Sequence, residues 1–465
     1  MTITTKHAIP LIYLTSFLFL FGETIQPAPR IAIYESIVCR QHYASSPGRH
    51  DCKVAPVQEE LALLNGIERL SIIIPSILAI PFAALADRYG HSLILAIAIF
   101  GVFLEDGWPF LITWFPDVFP IRLIWLHFVF SCVGGGFTVI VTLLHVIIAD
   151  VVSAEERTRM FFQSRAAGVA ASIAGYACSG ALMRVSDFLP WAVGLGTLVL
   201  ATITAAMIPN TTVEAGNKPA DEEVMSKGWA ERFRSTGEAL ENVAKLLIGN
   251  RQVLAMLILV FMCQLGFDAG PLMLSIYVSK RYGWSFSNAS FLSALEMSVE
   301  LLMLVLILPL LTKFLPAAFQ RLSPSTKDKY IAEWSLVALA VGQLCLGFAP
   351  VVAVAILGVV IVALGAGQDS LLRSLATEMV KPSEISTIYS AITMLRAIGG
   401  SSSGPIYAWL YSVGLGLKSE VWLGLPYVAA GLLFLVALGL LVCLKVTDRE
   451  GYEPIGERQD EDGDA

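Results

Sequence analysis

Charged side chains are scarce in this chain of 465 residues. Asp, Glu, Lys and Arg together make up 15% of it, whereas soluble proteins contain about a quarter. The apolar residues form repeated long blocks, which indicates a polytopic helical membrane protein. The blocks do not alternate every second residue, as the strands of a membrane barrel would. The net charge of −7 gives no reason to expect a nucleic-acid partner.

Motifs for ATP-driven pumping and for catalysis are also missing. The chain has no Gly-x-x-x-x-Gly-Lys-Ser/Thr stretch, which argues against a primary pump. Its intramembrane acids are dispersed over many segments, so we expect no enzyme activity, no cofactor and no metal site. Five of the seven cysteines lie in apolar segments. Cys39 and Cys52 share one polar loop, and a disulfide between them is chemically reasonable if the loop faces an oxidising compartment.

The apolar blocks predict an all-α protein with twelve membrane-spanning helices, here called spans 1 to 12. Two prolines, Pro27 and Pro29, are expected to break span 1. The spans cover residues 9–35, 61–86, 91–111, 121–149, 160–183, 190–208, 252–279, 286–311, 330–349, 351–377, 386–413 and 421–445.

A weak internal repeat divides the chain into two six-helix bundles. Gly22 with Pro27 resembles Gly266 with Pro271, and residues 149–156 resemble residues 377–384. The sequence separation between the matching motifs differs between the two pairs. The difference is about the length of an insertion in loop 40–60, so a single insertion there accounts for both matches. Chance similarity between apolar helices is the alternative. The predicted parts are a first bundle, a cytoplasmic central loop, a second bundle and a disordered acidic tail, at residues 1–208, 209–251, 252–446 and 447–465.

The polar turn between spans 2 and 3 carries a family signature. Its sequence, AALADRYGHSLIL at 83–95, resembles the major facilitator superfamily pattern Gly-x-Leu-Ala-Asp-Arg-x-Gly-Arg-Lys-x-x-Leu. Ala83, His91 and Ser92 depart from that pattern. An ordinary positive-inside turn is the alternative reading. Loop 40–60, with the following VQEELALLNGIERL, is similar to the proton-coupled folate transporter-like branch and its fungal relatives. The positions of the turn that match the major facilitator superfamily pattern are Leu85, Ala86, Asp87, Arg88, Gly90 and Leu95.

The resemblance implies a conformational latch at this turn. In the superfamily the aspartate of the turn, here Asp87, meets the start of span 11, and a basic residue pairs with an acid at the end of span 4. His91 and Asp150 take the positions of that pair in this chain. The predicted latch consists of Asp87, Arg88, Gly90, His91, Asp150 and Arg157.

Ionisable side chains inside the spans are the candidate pathway residues. Such a group costs about 2.5–3.5 kcal/mol at mid-bilayer on insertion scales, so it normally faces a polar cavity or a partner. The resemblance places their spans around or beside a central path, whereas spans 3, 6, 9 and 12 are nearly charge-free except for Glu105 and Asp106. Fixed ion pairs between helices are the alternative reading. The candidates are Glu23, Arg30, Glu68, Arg69, Asp268, Glu296, Glu300, Gln368, Asp369 and Arg396.

The resemblance and these charges predict secondary active transport of a small organic solute by alternating access. We expect proton coupling and favour export of a metabolite or drug. One alternative is proton-coupled import of an organic anion, with Arg30, Arg69 or Arg396 binding its carboxylate. Another is a membrane sensor that does not transport. The excess of basic residues on one face predicts that both termini are cytoplasmic. We further expect a monomer in the plasma membrane.

Overall fold

A computed structural model describes most of the chain and shows it to be helical. The described residues are 3–44, 51–70, 74–75, 82, 85–86, 88–152, 154–209, 251–307, 310, 324–381, 384–417 and 419–444. Within these ranges all the regular secondary structure is helical, which confirms the all-α prediction.

Nine helical stretches of the described residues are long and apolar enough to cross a membrane. The helices Ala154–Leu182 and Ile385–Gly416, of 29 and 32 residues, also reach spanning length. Span 2 is described as a continuous helix only up to Leu70. The count of twelve spans therefore stays a prediction.

The main helices of the described ranges are labelled in chain order. Shorter helical turns are Ile121–His127, Phe128–Ser131, Met303–Ile307 and Glu420–Gly424. The labelled helices are α1 (Ile3–Ile25), α2 (Pro27–His42), α3 (Ala55–Leu70), α4 (His91–Trp114), α5 (Gly136–Val151), α6 (Ala154–Leu182), α7 (Phe188–Met207), α8 (Arg251–Phe267), α9 (Ala269–Tyr282), α10 (Phe286–Leu302), α11 (Pro324–Phe348), α12 (Val352–Leu364), α13 (Gln368–Glu378), α14 (Ile385–Gly416) and α15 (Leu425–Cys443).

Proline breaks two spans at corresponding places. Span 1 is divided at Gln26 into α1 and α2, directly before Pro27. Span 7 is divided at Asp268 into α8 and α9, and Pro271 lies in the first turn of α9. A proline has no amide hydrogen for the carbonyl four residues earlier, so each break frees backbone oxygen atoms inside an apolar run.

Glycine breaks two further spans. In span 4, glycines 134–136 have φ angles of +93°, +81° and +68°, and α5 begins only after this turn. In span 10, Gly367 has a φ of +98° and separates α12 from α13. Spans 1, 4, 7 and 10 are the four that the superfamily resemblance places along the central path. Irregular backbone at membrane depth is tolerated where protein encloses it or where it lines a polar cavity.

Several predicted boundaries are wrong. Span 4 is not one continuous helix, because the glycine turn interrupts it. The gap predicted between spans 4 and 5, residues 150–159, is mostly helical, since α5 continues to Val151 and α6 begins at Ala154. The gap predicted between spans 8 and 9, residues 312–329, ends earlier than predicted, because α11 begins at Pro324, where a proline fits the first turn of a helix. The central loop and the acidic tail lie outside the described residues.

We call α1–α7 the first half and α8–α15 the second half, following the division predicted from the sequence. Within the first half, α1 packs on α6 and α7, and α4 packs on α5 and α7. Within the second half, α11 packs on α12 and α15, and α8 packs on α14 and α15. Extensive contacts between the halves join α3 to α14 and α6 to α10.

The contact between the halves is close because it uses small residues. A Cβ atom on Gly66 of α3 would lie 2.7 Å from the carbonyl oxygen of Gly404 in α14. In the second seam, Ser287 Oγ donates to the Gly180 carbonyl at 2.6 Å, and Ser290 Oγ donates to the Tyr176 carbonyl at 2.7 Å. These contacts lie toward the end of the molecule that carries Cys39 and Cys52, which we call the disulfide end. The opposite end is called the Asp150 end.

Replacing Gly66 with alanine should separate or destabilise the α3–α14 seam. The added methyl group meets backbone, which cannot rotate away, so we expect a loss of about 1–3 kcal/mol, as for overpacking of a core. The matched control is Gly196→Ala in α7, where a Cβ atom would have no neighbour within 4 Å. Thermal unfolding in detergent should show a lower Tm for Gly66→Ala and an unchanged or higher Tm for the control. Equal Tm values for Gly66→Ala and Gly196→Ala would contradict the close contact between Gly66 and Gly404.

Candidate functional site

A buried polar network lies in the first half, where α1 to α4 meet the helical turn Ile121–His127. The break in span 1 places Gln26 at its centre. Gln26 Nε2 donates to the Gly22 carbonyl at 2.8 Å and to Asp106 Oδ2 at 3.0 Å. We call this group the Arg30 network; its members are Glu23, Gln26, Arg30, Tyr34, Glu68, Glu105, Asp106 and His127.

Arg30 holds three helices of the network together. Its Nη1 atom lies 3.2 Å from Glu68 Oε1 on α3 and 3.3 Å from Asp106 Oδ1 on α4. Tyr34 adds a long hydrogen bond, with its hydroxyl 3.5 Å from Glu68 Oε1. The side chains of Glu68 and Asp106 are only 8% and 12% exposed. One guanidinium therefore contacts two nearly enclosed carboxyl groups at once, and its single positive charge can balance only one of them if both are ionised.

His127 connects the backbone of α3 to Glu105 of α4. Its Nε2 atom lies 3.3 Å from the Glu68 carbonyl oxygen, to which it donates in the forms of the ring that carry a hydrogen there. Its Nδ1 atom lies 3.1 Å from Glu105 Oε1. If both contacts are hydrogen bonds, the second needs one further proton, either as imidazolium with carboxylate or as imidazole with carboxylic acid.

The Arg30 network contains more acids than bases. Glu23 lies within electrostatic reach of Asp106, Glu105 and Arg30, and its Oε1 atom is buried with no hydrogen-bond partner among the described residues. Four carboxyl groups thus face one guanidinium and one imidazole. If all four were ionised, the group would carry excess negative charge even with a protonated His127. Uncompensated charge is costly away from water, so full ionisation of all four carboxyl groups is unfavourable.

A second polar chain crosses between the halves at the break in span 7. Arg69 Nη2 from α3 lies 3.2 Å from Asp268 Oδ1, whose side chain is 4% exposed. Gln264 Nε2 donates to the other carboxylate oxygen of Asp268 at 3.2 Å. Gln264 Oε1 in turn accepts from Arg396 Nε at 2.9 Å. Arg69 and Asp268 therefore form an ion pair across the two halves.

The chain continues into a more open region. Arg396 also pairs with Asp369 through Nη1, and Asp369 Oδ2 lies 3.2 Å from Arg373 Nε. The side chains of Asp369 and Arg373 are 41% and 37% exposed. Charged groups inside a span would be costly against lipid, so we expect these two side chains to face water or polar protein.

Glu296, Glu300 and Gln368 complete the predicted candidates. Glu300 Oε1 of α10 lies 3.4 Å from Arg165 Nη2 of α6, a second ion pair across the halves. Glu296 lies one turn earlier, close enough to Gly270 that a Cβ atom there would be 3.8 Å from its Oε1. Gln368 is buried at the start of α13. Two carboxylates four residues apart on one helical face repel each other, and Arg165 moderates this repulsion because it pairs with Glu300.

The structure brings the candidates together in two groups. Glu23, Arg30 and Glu68 join the Arg30 network, and Arg69, Asp268, Asp369 and Arg396 join the chain across the halves. Sequence reasoning did not select six participants, although Glu105 and Asp106 stood out as the only acids in an otherwise charge-free span 3. The residues that it did not select are Gln26, Glu105, Asp106, His127, Arg165 and Gln264.

Part of the predicted latch lies within the described residues. Gly90 has a φ of +103° and precedes α4, and His91 Nδ1 lies 3.2 Å from Asp150 Oδ2. The Arg88 guanidinium lies over the Tyr89 ring, 5.3 Å from its centroid. Asp87 and the side chain of Arg157 lie outside the described residues. The latching role of this turn stays a prediction.

The predicted cysteine pair joins α2 to the segment before α3, and the prediction that both cysteines lie in one loop is wrong because α2 extends to His42 and includes Cys39. The sulfur atoms of Cys39 and Cys52 are bonded, and the two Cα atoms lie 5.2 Å apart. The bond joins the end of α2 to the residue that precedes Lys53.

Removing Arg69 alone should destabilise the protein more than removing it together with the Asp268 charge. Arg69→Met leaves a buried carboxylate without its cation, a loss of about 1–3 kcal/mol. The double variant Arg69→Met/Asp268→Asn should recover most of that loss in thermal unfolding. As a control, Arg40→Met breaks an exposed pair with Asp117 and should cost under about 1 kcal/mol. Additive effects of the two substitutions would contradict the pairing.

Comparisons with known proteins agree with these features. The family model of the Major Facilitator Superfamily matches residues 60–324. The MFS efflux pump atnC of Emericella nidulans is 32% identical, over 92% of this chain and 86% of the pump. The efflux pump ustT of Aspergillus flavus is 32% identical, over 89% of this chain and 83% of the pump.

The fold matches solved transporters as well. The inward-open xylose transporter XylE from E. coli superposes with a TM-score of 0.65 at 13% identity, covering 96% of this chain and 98% of XylE. The folate-transporter-like branch stays a prediction. The sequence signature, the helical architecture and these matches together show that the chain is a multi-pass membrane transporter that belongs to the major facilitator superfamily.

Proposed function

We propose that the protein exports a small amphipathic organic solute in exchange for protons, by alternating access of a cleft between the two halves. The observation that carries the proposal is the Arg30 network, in which four carboxyl groups share one guanidinium and one imidazole away from water. Such a group can take up and release protons during each cycle. The names of the two relatives, both efflux pumps, support the outward direction.

Helix α3 links the proton site to the contact between the halves. Glu68 belongs to the Arg30 network, and the next residue, Arg69, pairs with Asp268 in the second half. Successive residues on a helix point about 100° apart, so α3 presents one side chain to each group. A proton that neutralises Glu68 weakens its bond to Arg30 and frees α3 to shift. That shift changes the Arg69–Asp268 pair, which couples protonation to the position of the halves.

The charges of the proposed cleft argue against an organic anion as the substrate. Each arginine proposed to bind a substrate carboxylate already has an acidic partner: Arg30 has Glu68 and Asp106, Arg69 has Asp268, and Arg396 has Asp369. An anionic substrate would have to displace a carboxylate from its cation. A neutral or cationic amphipathic solute meets no such competition.

The close seams at the disulfide end leave the Asp150 end as the side from which the solute enters. The predicted orientation makes that side cytoplasmic, with both termini there. We propose a monomer in the plasma membrane.

Inverted vesicles test direction and coupling together. The probes are rhodamine 6G, an amphipathic cation, and p-toluenesulfonate, a permanently charged organic anion, with the membrane potential clamped by potassium and valinomycin. With an acidic lumen, rhodamine 6G should accumulate relative to vesicles without the protein. One pH unit corresponds to about 1.4 kcal/mol, which supports up to about tenfold accumulation in one-for-one exchange.

The alternatives predict different results in the same assay. Sulfonate uptake into right-side-out vesicles with an acidic exterior, without rhodamine accumulation in inverted ones, would favour the importer. Binding of a probe without accumulation in either orientation would favour the sensor.

Neutralising the network should uncouple transport from protons. Glu68→Gln or Asp106→Asn keeps the side-chain shape but removes a proton-binding carboxyl group, so the rhodamine gradient should fall by up to about tenfold, to the level without the protein. Exchange of labelled for unlabelled rhodamine should persist, because it needs no net proton movement. The control is Glu60→Gln, which changes an acid at the disulfide end that is paired with Arg122. Full pH-driven accumulation in both network variants would exclude this site as the coupling centre.

A further inference from the structure

One lysine joins the two halves at the disulfide end. Lys53 Nζ donates to the two carboxylate oxygens of Glu35 at 2.5 and 2.7 Å, and to Ser279 Oγ at 2.7 Å. Glu35 lies on α2 of the first half, and Ser279 lies on α9 of the second. The Glu35 side chain is 11% exposed, so this ion pair is largely shielded from water. A single ammonium group therefore bonds both halves.

Two further contacts attach Lys53 to the second half. Its ammonium group lies over the Phe286 ring of α10, 4.8 Å from the ring centroid, at a distance where a cation is attracted to an aromatic face. The ammonium group of Lys280 donates to the Lys53 backbone carbonyl. Both the side chain and the main chain of Lys53 are thus held by the second half, although its chain neighbours belong to the first.

The disulfide fixes where Lys53 can reach. Cys52, its neighbour, is bonded to Cys39 near the end of α2, which closes a loop of sequence separation 13. Gln58 Nε2 supports the same arrangement by donating to the Cys52 carbonyl at 2.9 Å and to Glu35 Oε1 at 2.6 Å. Without the covalent bond, residue 53 loses its link to α2 and is held in sequence mainly by the start of α3, so the entropic cost of placing it between Glu35 and Ser279 rises.

We propose that Lys53 is a gate residue that closes the pathway at the disulfide end, and that the Cys39–Cys52 bond holds it in the closing position. The inference rests on the alternating access of the proposed function. When the halves separate at this end, Lys53 keeps Glu35 but loses Ser279, Phe286 and Lys280. Lys53 thus determines what fraction of the protein molecules is open at the disulfide end, and it does so through contacts that are separate from the Arg30 network.

Distance measurements between the halves test the gate without any substrate. Genetically encoded spin labels at Val118 and Leu417 report on the disulfide end, because these positions are 70% and 52% exposed and lie in different halves. Lys53→Met should raise the population of the longer distance about fivefold or more, as expected when a coupling between two sites is lost. Ser279→Ala should act in the same direction with a smaller effect.

The same distance measurement is made on a variant without the disulfide and on a control variant with a different ion pair broken. The double variant Cys39→Ser/Cys52→Ser should also raise the longer-distance population, because Lys53 is then less often in place. Arg122→Gln is the control, since it breaks an exposed pair with Glu60 at the same end but within the first half. It should leave the distances unchanged.

The possible outcomes separate the gate from the proposed function. Unchanged populations in well-folded Lys53→Met and Ser279→Ala, judged by gel filtration and Tm, would overturn the gate and leave export untouched. An equal shift in Arg122→Gln would also overturn it, because the effect would then be general to this end. If no second distance is found in the wild type or any variant at any pH, alternating access itself fails, and the gate fails with it.

Discussion

The structure depends on enclosing Arg30 among carboxyl groups in a part of the chain surrounded by apolar helices. Neither partner could stay charged there alone, because moving an isolated ion out of water costs several kcal/mol even after relaxation. Arg30 meets this constraint by contacting Glu68 and Asp106 together, which draws α2, α3 and α4 into one bundle. In the proposed function, the surplus acids make the same group a site that takes up and releases protons. A single electrostatic requirement thus joins these three helices and underlies the proposed chemistry.

The breaks in spans 1 and 7 position the polar side chains of these groups. The break before Pro27 places Gln26 beside Asp106, and the break before Pro271 places Asp268 beside Arg69. The two polar groups are neighbours along α3, because Glu68 belongs to one and Arg69 to the other. A rigid continuous helix would satisfy its own carbonyl groups and would leave little polar surface at that depth. The irregular backbone therefore lies beside both polar groups.

The sequence predicts many of the helices and charged residues of this arrangement, but it does not predict which side chains pair with each other. Apolar runs and prolines predict the helices and the break in span 1, and rare intramembrane charges single out Glu23, Arg30, Glu68, Arg69 and Asp268. They do not reveal which helical faces meet, so the partners of Glu300 and of Glu105 could not be inferred. Arg165 is 135 positions from Glu300, and nothing along the chain connects them. The glycines at 134–136 resemble packing glycines in the sequence, and only their positive φ angles show a turn.

The central claim is that the Arg30 network exchanges protons as a unit. Infrared difference spectroscopy of the purified protein between the two pH values used to drive transport measures this most directly. The account predicts a change in the stretching band of protonated carboxyl groups that is lost in Glu68→Gln and in Asp106→Asn and kept in Glu60→Gln. A band that is unchanged by both network substitutions would contradict the account, because the exchanged protons would then reside elsewhere.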